Sequence, residues 1–173
     1  MLGAFLVCSL VGVAAGLAAA HIRLHLGLPG HKALVLMTPV IFARLIFRSP
    51  VGATGGMLAA ALSSLAAGGG VIGATLHLPL VAVAGGMFDV AIGLAERRNL
   101  AGRWMIPVVG LAGLAANLVM LAERLMMPLF EWHQLFGASA FATRTLSYAF
   151  FGLAAGLIGA GLAAVVKWRR RSA

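Results

Sequence analysis

Five histidines stand out in a chain with few other polar side chains: His21, His25 and His31 in one short stretch, His77 farther on, and His133 in the last third. Imidazoles gathered from separate segments can ligate a metal, hold a haem or protonate toward an anionic ligand. His21 and His25 have the spacing of ligands on one helix face. No HExxH and no Cys/His box accompanies them, so the metal signal is weak. Asp89 is the single aspartate, which excludes an aspartyl dyad, and Asn117, Arg124, Arg144 and Tyr148 form a second polar group toward the carboxyl end. The two lysines, Lys32 and Lys167, lie in no GKS or GKT, so there is no P-loop. Ser63 and Ser64 sit in no GxSxG elbow. Cys8, the lone cysteine, forms no internal disulfide and reads as a small apolar residue. These absences point away from an enzyme, a resident metal or a cofactor, and toward binding.

The elements that position these residues are apolar. Hydrophobic residues make up 62% of the 173, charged residues 10%, and mean hydropathy is +1.04, which is the composition of a chain in a bilayer and not of a soluble domain. This length holds about six spans of roughly 20 residues with tight loops. The reading is an all-α membrane protein of six short transmembrane helices in a single domain over 1–173. Their approximate bounds are 2–22, 33–47, 51–67, 80–96, 103–126 and 144–166. The first apolar segment lacks a basic n-region and a cleavage site, so it reads as a retained helix and not a signal peptide.

Charge sets the orientation. Nine cations (Arg44, Arg48, Arg97, Arg98, Arg103, Lys167, Arg169, Arg170 and Arg171) fall in alternate gaps or at the carboxyl terminus, against four (Arg23, Lys32, Arg124 and Arg144) in the others. Short cytoplasmic loops accumulate Lys and Arg, so both termini are expected in the cytoplasm and the histidines outside. Cations scattered among apolar spans also argue against nucleic-acid binding. Gly68, Gly69 and Gly70 end the third span, and Val71 to Leu78 reads as a loop tucked in at the outer surface before helix 4 resumes after Pro79. Pro128 to Thr143, with Phe130, Trp132, Phe136 and Phe141, reads as an outer interfacial loop. Together the outer loops would cap a pocket.

Small residues recur at helical spacing. Gly152, Gly156, Ala160 and Ala164 share a face of helix 6, and helix 1 offers Gly12 with Gly16, Ala14 with Ala18, and Ala15 with Ala19. Such faces let backbones approach closely, within the chain or against another subunit. Asp89 is placed on a helix 4 face with Gly86 and Gly93. An acid at that depth costs several kcal/mol unless paired or protonated. It is either a functional group or a structural partner of Arg44 or of a Ser or Thr hydroxyl. A membrane enzyme would need the Asp89–Arg44 region open to water.

The pattern resembles the substrate-binding S component of energy-coupling factor (ECF) transporters. The segments that carry the resemblance are Gly85-Gly86-Met87-Phe88-Asp89, the run AGLAANLVMLAERL from Ala112 to Leu125, and FFGLAAGLIGAGLA from Phe150 to Ala163. It implies a prokaryotic inner-membrane importer subunit without catalysis, whose partners are a transmembrane T component and two ATPase subunits. It implies that AxxxA faces on helix 1, here Ala14, Ala15, Ala18 and Ala19, contact the T component. It also implies an outward pocket for a small vitamin or cofactor precursor. The positions at pocket level are His25, His31, His77, Asn117, Arg124, Arg144 and Tyr148. Metal-binding relatives use a His near the amino terminus, and none precedes His21 here. A structural or assembly subunit, and a metal-ion or haem-binding transport subunit, are the alternative readings.

Overall fold

The computed structural model describes residues 1–21, 30–68, 74–100, 104–126 and 138–172. Regular structure among them is entirely helical, in six helices: α1 (Leu2–His21), α2 (Lys32–Phe47), α3 (Gly52–Ala66), α4 (Ala74–Arg97), α5 (Met105–Met126) and α6 (Ala138–Ser172). Four of them, α1, α4, α5 and α6, are long and apolar enough to cross a membrane. The other two have 16 and 15 residues. At about 1.5 Å per residue each is some 22–24 Å long, short of a hydrocarbon core of about 30 Å.

Successive helices alternate in direction. Gly12 meets Gly56 and Gly16 meets Ala60, so α1 and α3 run the same way, while Gly113 meets Gly152 and Val109 meets Gly156, so α5 and α6 are antiparallel. The packing follows the ring α1, α3, α4, α5, α6, α2 and back to α1, with α2 also touching α3 and α4. The start of α1 and the end of α6 therefore lie at one end of the bundle, with the α2–α3 joint.

Packing is by small residues inside and large ones outside. Ala15, Ala19, Ala53, Ala60, Ala84, Ala116, Ala155 and Ala160 are buried, whereas Leu6, Leu10, Val90, Leu111, Leu146 and Leu162 are about half or more exposed. In lipid there is no hydrophobic force between helices, so contact is won by close approach of backbones and large apolar side chains can face outward. A Cβ on Gly12 would strike the Gly56 backbone, and one on Gly152 the Gly113 carbonyl. Gly152, Gly156 and Ala160 face inward as the interval of four suggests, but Ala164 is exposed and Ala163 takes its place. A strict interval of four drifts off a face that turns every 3.6 residues.

Two helices differ from their expected bounds. The fourth begins at Ala74, not after Pro79, and absorbs most of the expected tucked loop. Proline removes one backbone donor, but in a bilayer the surrounding segment has no better way to satisfy its own polar groups than to stay helical. The last helix starts at Ala138 and runs 35 residues, so the end of the expected interfacial loop is its first turns. Residues 127–137, with Phe130, Trp132, His133 and Phe136, lie outside the described residues.

Candidate functional site

Polar side chains gather at the two ends of the bundle. At the end holding the α2–α3 joint, Arg44 on α2 and Asp89 on α4 are 2% and 9% exposed, so neither can rely on water. Arg44 Nε donates to Asp89 Oδ1 at 2.9 Å. The same carboxylate accepts the Ala53 N–H at 3.1 Å, the Thr54 N–H at 2.8 Å and the Thr54 hydroxyl at 2.8 Å. Ala53 and Thr54 open α3, whose own N-cap, Val51, has no side chain able to cap. Asp89 thus caps α3 from another helix, where orphan N–H groups and the positive end of the helix dipole favour an anion. Asp89 is paired with Arg44 and with a Thr hydroxyl at once, the arrangement that the structural alternative describes.

Gly85, one turn before Asp89, makes this possible. A Cβ there would lie 2.6 Å from Thr54 Cα, so the absent side chain lets α4 reach α3. Of the two glycines expected to share the Asp89 face, Gly86 lies at the margin of the contact, where a Cβ would come 3.9 Å from Thr54 Oγ1, and Gly93 meets nothing within 4 Å. The small-residue face is displaced by one residue from the expected one. That displacement is legible as the i, i+4 pair Gly85–Asp89.

At the opposite end, Tyr148 on α6 is the hub. Gly30, at φ 84°, lies against it, where a Cβ would come 3.1 Å from the ring. Glycine accepts that left-handed conformation and leaves room for the ring. The Asn117 side-chain amide donates to the Tyr148 backbone carbonyl at 2.7 Å, tying α5 to α6. His31 meets Phe151 edge-on, with centroids 6.4 Å apart. The structure therefore brings His31, Asn117 and Tyr148 into one neighbourhood, with the half-buried Arg144 one turn before Tyr148. His77 is half-buried on α4 at the same end. Outside the described residues are His25 and the Arg124 side chain, although the Arg124 backbone belongs to α5. His21 Nδ1 donates to the Leu17 carbonyl of its own helix at 2.8 Å. Among the described residues no three His, Cys, Asp or Glu converge on a metal position.

The helix 1 alanines divide. Ala15 and Ala19 are buried at 4% and 5%, beside the Gly12–Gly16 seam with α3, while Ala14 is exposed and Ala18 half-buried. Ser63 on α3 adds a hydroxyl donated to the Val13 carbonyl at 3.1 Å. The outward face of α1 carries Ala14 with Leu6, Leu10, Val13 and Leu17. A shallow, wholly apolar groove of about 660 Å³ runs along the flank between α4 and α5, lined by Val83, Gly86, Val90, Leu94, Val108 and Leu111 among others. No family model, characterised protein or solved structure matches the chain.

Proposed function

We propose that the chain is the substrate-binding membrane subunit, or S component, of an ECF-type importer and captures a small vitamin or cofactor precursor at the Tyr148 end. The observation that carries this reading is the meeting of His31, Asn117 and Tyr148 with Arg144 one turn away, four residues from α5, α6 and the turn before α2. A cation, an imidazole and a phenol beside aromatic carbon suit a small, partly anionic organic molecule. The bias of nine cations against four supports six crossings of a prokaryotic inner membrane with both termini in the cytoplasm. The Tyr148 end then faces outward. With no P-loop of its own, the subunit takes energy from separate ATPases that act through a T component. Glycine seams suit a bundle that must move as one body against such a partner, and the exposed Ala14 face of α1 is the surface it offers.

Coexpression with T-component and ATPase candidates tests the assembly, and mass spectrometry of the purified chain tests the ligand. The expected result is a complex with two P-loop ATPases and a small organic molecule. A clean monomer with neither overturns the reading. A structural or assembly subunit of a larger membrane complex is the second reading. It is favoured by the close seating of α5 on α6, where a Cβ on Gly152 would lie 2.6 Å from Asn117 Cβ, and by the apolar α4–α5 flank.

A further inference from the structure

The apolar groove between α4 and α5 does not stop at Leu94. It runs on into a second hollow of about 310 Å³ at the end of the bundle that holds the α2–α3 joint. Ala91, Leu94 and Val108 line both, so the two form one continuous groove. Helical spacing builds it. On α4, Val83, Met87, Val90 and Leu94 recur at intervals of three and four, and Arg98 follows Leu94 by four more, on the same side. Leu94 and Leu111, 49% and 62% exposed, stand as walls, and Ala91 and Ala112 leave the space between them.

The end of the groove is polar where the rest is not. Beyond Arg97 the chain turns back through Asn99, at φ 53°, and the Leu100 N–H donates to the Ala95 carbonyl at 2.9 Å. Leu100 and Arg98 thereby both line the second hollow. The Arg98 N–H is tied to the Leu94 carbonyl at 3.0 Å, while its side chain is exposed and forms no ion pair among the described residues. Trp104, 56% exposed, stands directly before α5 and four residues before Val108. An amphipathic ring and a cation at one level mark the headgroup zone of a bilayer.

Length identifies the occupant. From Val83 to Leu94 the groove covers about 16 Å at 1.5 Å per residue. That is close to half of a hydrocarbon core of about 30 Å. An acyl chain fills one leaflet, whereas a partner's helix crosses both and would find no cation to pair with in its apolar span. We propose that the α4–α5 groove seats one acyl chain of a phospholipid, with the lipid's phosphate on Arg98 at the open end. This rests on the reading that the chain spans a bilayer and not on what the Tyr148 end binds.

Native mass spectrometry of the purified full chain tests it, with phosphatidylglycerol and a diacylglycerol of the same acyl chains as probes. The unaltered chain should retain the phospholipid about fivefold better, the worth of one cation near the surface. Arg98→Gln should remove that advantage and leave diacylglycerol retention unchanged. Arg169→Gln takes the same charge from α6, outside the groove, and should alter neither. Ala91→Phe fills the groove and should lower retention of both lipids. So should Leu94→Ala/Leu111→Ala, which lowers the exposed walls without entering the core and serves where Ala91→Phe fails to fold. Equal retention of the two lipids by the unaltered chain overturns the proposal, and so does an equal loss in Arg98→Gln and Arg169→Gln. Unchanged retention in the groove variants overturns it as well. A dimer of the unaltered chain that the same variants dissociate would give the groove to a second copy and not to lipid.

Discussion

The two ends of the bundle use polar residues in opposite ways. At the Arg44 end a carboxylate and a guanidinium are buried, and the carboxylate accepts four hydrogen bonds that join α2, α3 and α4. At the Tyr148 end Asn117 is buried and donates to the Tyr148 carbonyl, while His31, Arg144 and Tyr148 are half-buried, with His31 edge-on to Phe151. Buried charge is tolerated only when satisfied, and once satisfied it fixes the elements that hold it. The Arg44 end is thus tied together by buried charge, and the Tyr148 end, where the proposed binding function would lie, is not.

Asp89→Ala is the hardest blow to this division. It strands the Arg44 charge and uncaps α3, and should cost about 3–5 kcal/mol in thermal or denaturant unfolding. A loss no larger than that of a surface variant would break the comparison. Thr54→Val removes one hydroxyl donor to the carboxylate and keeps the backbone donor, and should cost about 1.5 kcal/mol in the same assay. At the other end Asn117→Leu gives up one amide-to-carbonyl bond between α5 and α6, and about 0.6 kcal/mol is expected. A larger cost than for Thr54→Val would move the structural centre of the molecule to the Tyr148 end. Arg144→Ala should change stability by less than about 0.5 kcal/mol. Ligand retention, followed by mass spectrometry, should nonetheless fall more for Arg144→Ala than for Arg170→Ala, and equal losses would remove Arg144 from the site.

Much of this was legible before any coordinates. Apolar length and the spacing of basic gaps gave an all-helical chain of six helices, because both depend on composition averaged over whole segments. His31 and Arg144 were placed at one level because each falls at the edge of an apolar stretch, where depth follows from counting, whereas Asn117 and Tyr148 lie inside their helices and were placed by helical spacing. Partners across helices were not. Asp89 had two open readings because the choice depends on where the first turn of α3 comes to rest, and its face was taken as that of Gly86 when the contact is made through Gly85. The start of α4 was misplaced because Pro79 reads as a breaker locally and is carried by the helix around it.

That Asp89 caps α3 has a consequence for biosynthesis. The acid follows Arg44 by 45 residues and Ala53 by 36, so the ribosome releases α2 and α3 before the group that completes them. At about 5–20 residues per second the gap is roughly 2–9 s. During it, a guanidinium and an open helix end must be sheltered by water, headgroups or the insertion machinery. Chains arrested before Asp89 are thus expected to be substrates for quality control, while those that have gained α4 can close the joint for themselves.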